Sequence, residues 1–142
     1  MALALVWTLA LVAAPAAIGS SHPGLARAGM LVYMAGGVVC HQRPERSFVI
    51  FGHTLPVCAR CTGLYLSALI GGLLALVLAP RRIDRSEARW LFAIAALPTA
   101  VTWLAEVAGL AHPSNVVRSV AALSLGAVAA GRVVATMAND RV

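Results

Sequence analysis

The chain has 142 residues, of which 61% are hydrophobic and 11% are charged, and its mean hydropathy is +0.87. Soluble domains are about 45–50% apolar and about 25% charged, so this composition excludes an ordinary water-soluble protein. The net charge is +6, but the arginines flank apolar stretches, where cations set membrane topology and meet anionic lipid headgroups. We therefore expect a membrane protein whose main partner is the lipid bilayer, and no nucleic-acid partner.

Four apolar stretches are long enough to cross a membrane, and in chain order they lie at about 1–19, 62–80, 90–110 and 116–136. About 20 helical residues cross ~30 Å of hydrocarbon at ~1.5 Å per residue. The first stretch lacks the positive n-region of a cleaved signal peptide, which favours a retained helix. The sequence thus predicts an all-α, integral membrane helical bundle of about four transmembrane helices, forming a single membrane domain over residues 1–142.

Two further features refine this prediction. The stretch at about 28–39 is apolar but too short to span, so we expect one extra short or re-entrant helix there. In the last span, small residues recur every four positions at Ala122, Gly126 and Ala130. Such spacing lets another helix approach closely, although an alanine-rich span also shows it by chance.

The segment 40–61 contains all three cysteines of the chain. A C-x-x-C pair lies at its end, and a third cysteine with an adjacent histidine lies at its start. Three sulfurs and one imidazole form a tetrahedral donor set that suits zinc or iron. Covalent haem attachment is not expected, because Thr62 stands where the C-x-x-C-H pattern requires histidine. The predicted ligands are Cys40, His41, Cys58 and Cys61, with His53 as an alternate nitrogen ligand.

Other interpretations of the cysteines stay open. Cys58 and Cys61 fit a reversible disulfide, with Arg60 between them stabilising a thiolate. All three cysteines also fit small hydrophobic side chains packed beneath a loop. The candidate functions are accordingly a metal-binding membrane protein with a structural or accessory role, a thiol–disulfide redox protein, and an accessory subunit of a larger membrane complex. So small a bundle has little room for a catalytic pocket, which favours binding or accessory roles over an enzyme, and no catalytic residue is assigned.

A second polar feature lies at the end of the third span. Glu106 is an ionisable residue at membrane depth, and such residues usually face the bundle interior and are paired. Arg118, at the start of the next span, is the expected partner; the alternative is an interfacial glutamate that reaches water. The predicted polar cluster at this membrane face comprises Arg60, Glu106, Asn115 and Arg118.

The strings CHQRPERSF and LPVCARCTGLY resemble the CHQ…P-x-RSF…PVCxRCxG signature of a family of small prokaryotic integral membrane proteins of unknown function. The matching positions are Cys40, His41, Gln42, Pro44, Arg46, Ser47, Phe48, Gly52, Pro56, Cys58, Arg60, Cys61, Gly63 and Tyr65. Pro98 and the S-N-x-x-R pattern at 114–118 match more weakly. Family members often carry Asp and Gln where Thr102 and Glu106 stand here, which argues against ion chemistry that needs the acid. The resemblance implies a multi-span protein of a prokaryotic cell membrane and no established activity.

The loop Pro80–Arg89 carries four arginines, and short arginine-rich loops stay cytoplasmic. We expect a cysteine introduced as Ser86→Cys, in a background without the native cysteines, to resist an impermeant thiol reagent in intact cells. Ser114→Cys, across one span, is the matched control and should react. Rapid labelling of the Ser86→Cys variant from outside would reverse this orientation.

Overall fold

The computed structural model describes residues 2–78 and 83–139, and within them the chain forms five α-helices, a single 3-10 turn and one small β-hairpin. The secondary structure is all-helical except for this hairpin, whose strands have two residues each. The elements are α1 (Ala2–Ile18), α2 (Pro23–Val39), the 3-10 turn (Pro44–Arg46), β1 (Val49–Ile50), β2 (His53–Thr54), α3 (Ala59–Leu78), α4 (Arg85–Val107) and α5 (Asn115–Asn139).

Three helices of the described chain are long and apolar enough to cross a membrane: α3, α4 and the Asn115–Ala138 part of α5. Large apolar side chains on them are exposed, including Val77 and Ile94, as expected for surfaces that lipid covers. α1 and α2 have 17 residues each, which gives a rise of about 25 Å against ~30 Å of hydrocarbon. The fourth span predicted at 1–19 is therefore not confirmed.

Two helices, α2 and α4, begin five residues earlier than the apolar pattern suggested, and both starts have a local cause. α2 begins at Pro23, because proline fits the first turn of a helix, where its missing N–H is not needed. α4 begins at Arg85 because Asp84 caps it. The Asp84 carboxylate accepts the Glu87 N–H at 2.7 Å, and the Glu87 carboxylate accepts the Asp84 N–H at 3.2 Å. Of the predicted loop Pro80–Arg89, residues 80–82 lie outside the described residues.

The three candidate spans alternate in direction. Close contacts join Gly63 to Ser119 and Gly71 to Ala127, so α3 and α5 run parallel. α4 runs antiparallel to α5, because the Thr99 hydroxyl donates to the Ala121 carbonyl at 2.8 Å while the Ser124 hydroxyl donates to the Ala95 carbonyl at 2.7 Å. The N-termini of α3 and α5 and the C-terminus of α4 therefore lie at one end of the bundle, hereafter the cysteine end.

Small residues allow α3 and α5 to pack with their backbones in contact. A Cβ added at Gly63 would lie 2.1 Å from the Ser119 carbonyl oxygen, and one added at Gly126 would lie 2.2 Å from the Leu64 carbonyl oxygen. Ala122 is fully buried. The spacing of small residues in the last span thus corresponds to a real helix contact, and its partner seam on α3 contains Gly63 and Gly71.

The close approach predicts the effect of adding one methyl group. Gly63→Ala should lower the free energy of unfolding by about 1–3 kcal/mol, because overpacking pushes α3 from α5. Gly24→Ala is the matched control: Gly24 is also helical, but no atom lies within 4 Å of its added Cβ, so stability should stay level or rise slightly. The free energy of unfolding of both variants is measured by reversible unfolding in mixed detergent micelles. Equal values would contradict the close packing of α3 on α5 at Gly63.

Candidate metal centre

The segment between α2 and α3 is held against the end of α2. Gln42, with φ of 47°, donates its side-chain amide to the carbonyls of Tyr33 at 2.6 Å and Pro56 at 2.8 Å. Gly36 lies so close to this segment that an added Cβ would be 2.4 Å from the Pro56 carbonyl oxygen. These contacts place the residues that follow Pro56 beside Cys40, which directly follows α2.

A tight hairpin turns the chain back between the two ends of the segment. Ile50 pairs with His53, and the two loop residues, Phe51 and Gly52, have φ of 53° and 78°. Two positive φ values in a two-residue loop are typical of a type I′ turn, which matches the right-handed twist of the paired strands. The hairpin lets Cys58 meet Cys40 although 17 residues separate them in the chain.

The three cysteine sulfurs form the thiol cluster: Cys40, Cys58 and Cys61 have ligand atoms that all lie within 4.8 Å of one another. All three thiols are free. Cys40 is buried, and the other two are partly buried. The Cys58 backbone N–H donates to the Cys40 sulfur at 3.1 Å. The cluster packs against apolar residues of the core, among them Leu11, Val57 and the aromatic pair Trp7 and Tyr65.

This geometry suits a shared metal ion. Zn–S bonds of ~2.3 Å put sulfurs roughly 3.5–4 Å apart, so closure of the cluster around an ion needs shifts of about 1 Å or less. A hydrogen bond from the Cys61 thiol lowers the pKa of Cys58 to about 5, and weaker hydrogen bonds from Cys40 and the backbone add to this against the opposing effect of burial. The lowered pKa favours the Cys58 thiolate, the form that binds metals and acts as a nucleophile.

The two candidate histidines occupy different places. His41 lines a cavity of 290 Å³ together with all three cysteines. His53 lies in β2, and its ring packs against the end of α1, 3.2 Å from where a Cβ on Gly19 would be. In the described chain neither imidazole belongs to the close group of ligand atoms. The structure thus brings the cysteines together, while a histidine ligand stays a prediction.

The Glu106 carboxylate is the centre of a second group, the ion-pair cluster. Its side chain is 5% exposed. Arg118 contacts Oε1 at 2.7 Å, Arg46 contacts the same oxygen at 3.1 Å, and Arg60 contacts Oε2 at 3.3 Å. The expected contact between Glu106 and Arg118 is therefore present. Arg46 was missed, since no local pattern in the sequence connects it with Glu106.

Hydrogen bonds extend this cluster to the 3-10 turn. Arg118 donates to the Asn115 side-chain oxygen at 2.9 Å, and the Asn115 amide donates to the Ser47 carbonyl at 3.0 Å. Thr102 takes no part, because its hydroxyl donates to the Pro98 and Thr99 carbonyls of its own helix. The cluster joins α3, α4, α5 and the loop before β1 at the cysteine end. Arg60 links it to the thiol cluster, because this residue lies between Cys58 and Cys61 in the sequence.

Comparisons with known proteins agree with a membrane protein. Residues 40–131 match the family described as "Predicted membrane protein (DUF2085)". An uncharacterized protein of Methanocaldococcus jannaschii is 34% identical over 99 residues, which cover 67% of this chain and 61% of that relative. An uncharacterized protein of Methanothermobacter thermautotrophicus is 34% identical over 97 residues, which cover 68% of this chain and 85% of the relative. No solved structure matches. The matched region contains both clusters, α3, α4 and α5 up to residue 131, whereas α1 and α2 precede it.

The ion-pair cluster predicts a large effect of removing its only carboxylate. Glu106→Gln keeps the shape of the side chain but leaves the buried Arg118 without its counter-charge, so the free energy of unfolding should fall by about 3 kcal/mol. Glu45→Gln is the matched control, because Glu45 is an exposed carboxylate next to Arg46 in the 3-10 turn. Its loss should change stability by less than about 0.5 kcal/mol. Similar unfolding curves for both variants would contradict the claim that the Glu106 ion pairs stabilise the fold.

Proposed function

The chain belongs to this family of membrane proteins, and on that premise we propose that it binds one zinc or ferrous iron ion through Cys40, Cys58 and Cys61 at one membrane face. The observation that carries the proposal is the thiol cluster, whose ligand atoms lie within 4.8 Å of one another. Thiolates are soft ligands that favour zinc and iron over magnesium or calcium. The role is structural or accessory, because the ion joins the end of α2 to the start of α3.

The surroundings of the sulfurs support a bound ion. The N–H of Cys58 that donates to the Cys40 sulfur is an outer-shell contact of the kind that orients a ligand and stabilises its charge. A zinc or ferrous ion with three thiolates carries a net charge of −1. Arg60, which follows Cys58 by two residues, and Arg46 line the same cavity, and their charges compensate that negative charge.

His41 is the proposed fourth ligand. It is the histidine that lines the cavity with the cysteines, whereas His53 packs against the end of α1. Adjacent residues such as Cys40 and His41 point apart in extended backbone, which Cys40 adopts after α2, so ligation by His41 requires the loop to rearrange when the ion binds. An ion held in this way closes the loop between α2 and α3, and its binding energy adds to folding stability.

A second candidate function is thiol–disulfide exchange, and one observation favours it. Cys58 lies immediately before α3, hydrogen-bonded to the Cys61 thiol of the first turn, where the positive end of the helix stabilises a thiolate. In this function the Cys58 thiolate attacks a disulfide of a partner protein. The Cys61 thiolate then attacks the Cys58 sulfur of this mixed disulfide. The partner leaves as a thiolate, and the Cys58–Cys61 disulfide remains. Metal content separates this candidate from the first, because a bound ion occupies the same sulfurs.

The role of accessory subunit stays a prediction. It rests on the small size of the chain and on the apolar outer surfaces of α3 to α5, which lipid and other membrane helices cover equally well. Co-purification in mild detergent tests it.

Metal analysis of the purified protein tests the metal-binding function. We expect about one equivalent of zinc or iron in the wild type grown in metal-replete medium, and loss of that equivalent in Cys58→Ser. His41→Ala should weaken binding at least tenfold, since even outer-shell changes cost about 10–100-fold. His53→Ala and His112→Ala are the matched controls and should bind as the wild type does.

Two results would contradict the proposal. One is metal-free wild-type protein from metal-replete cells, and the other is unchanged metal content in Cys58→Ser. Alkylation before and after reduction then distinguishes the remaining candidates, because a redox protein isolated under oxidising conditions protects Cys58 and Cys61 as a disulfide while Cys40 stays reactive.

A further inference from the structure

The cavity beside the thiol cluster has a large excess of positive charge. Its 290 Å³ are lined by four arginines, Arg43, Arg46, Arg60 and Arg118, in addition to His41 and the cysteines. Among the described residues, one carboxylate, that of Glu106, contacts three of them, Arg46, Arg60 and Arg118. Four guanidinium charges against one carboxylate leave an excess of three positive charges.

Hydrogen-bond donors exceed acceptors in the same place. A guanidinium offers five N–H donors, while a carboxylate accepts about four hydrogen bonds. The Nε–H groups of Arg60 and Arg118 are buried and have no acceptor among the described residues. The Arg118 side chain is only 10% exposed, and Arg43 makes no ion pair within the described part of the chain.

A purely structural role accounts for only part of this arrangement. One arginine neutralises Glu106, and each further cation held near it repels the others and loses hydration. A bundle that needed only to join its helices would be more stable with fewer arginines around the carboxylate. The excess cations are therefore best explained by an anion that comes from outside the chain.

We propose that this cavity binds a phosphate group, either inorganic phosphate or the headgroup of a phospholipid. Arginine forks form paired hydrogen bonds with tetrahedral oxyanions, and 290 Å³ accommodates a phosphate with a few waters. With a metal ion on three thiolates, the excess of three positive charges falls to two, which matches a phosphate dianion. Without a metal, and with one of the thiols ionised, the cavity keeps an excess of two positive charges, so this site does not depend on the metal-binding function.

Equilibrium dialysis against radiolabelled inorganic phosphate tests the site. The protein is held metal-free with a chelator, in a phosphate-free detergent at fixed ionic strength. Arg43→Gln removes a cavity charge without touching Glu106, and we expect its phosphate affinity to fall about tenfold or more, the usual cost of losing a charged hydrogen bond. Arg27→Gln is the matched control, because Arg27 is exposed on α2 and does not line the cavity.

Native mass spectrometry of protein extracted with its lipids identifies the source of the phosphate group. Inorganic phosphate binding that Arg43→Gln weakens and Arg27→Gln does not supports a site for free phosphate. A retained phospholipid adduct that is lost in Arg43→Gln, and that blocks phosphate until it is removed, supports a headgroup site. Absence of both ligands from the wild type, or equal affinity in the two arginine variants, would overturn the proposal. Because all samples are metal-free, failure of metal binding does not affect this result.

Discussion

The burial of one carboxylate among arginines determines the arrangement of the cysteine end. Glu106 lies in the last turn of α4 and reaches Arg60 in the first turn of α3, Arg118 in α5 and Arg46 in the loop. A buried charge of this kind is costly unless it is paired. The pairing therefore fixes which ends of the three spans meet and how far each helix can slide along its neighbours.

The thiol cluster depends on the same constraint. Arg60 lies between Cys58 and Cys61, so the contact of its guanidinium with Glu106 at 3.3 Å orients the first turn of α3. The third sulfur belongs to Cys40, which follows α2. There the Gln42 amide fixes the loop to the end of α2. The three sulfurs, which come from two helix ends, are thus held close together by polar contacts of neighbouring residues.

Close packing of α3 on α5 supplies the rigid support for this end. Gly63 lies two residues after Cys61 and touches the backbone of Ser119, next to Arg118. Where lipid surrounds a bundle, close backbone packing replaces much of the hydrophobic driving force that water gives to soluble proteins. The glycine contact and the ion-pair cluster are adjacent, so packing and charge pairing reinforce each other at the same helix ends.

The sequence by itself determined the membrane class, the three candidate spans, the nearness of Glu106 to Arg118 and the presence of thiols at both ends of the segment 40–61. These follow from hydropathy, motif spacing and the cost of lone charges in lipid. The capping box of Asp84 and Glu87 was also readable, and it was missed because the apolar pattern alone set the start of the span. Only the tertiary structure decided that α1 is shorter than a span, that Arg46 joins Glu106, and that His41 rather than His53 lines the cavity with the cysteines. Each of these depends on loop turns and long-range contacts, such as the positive φ at Gln42 and Phe51, which local periodicity does not encode.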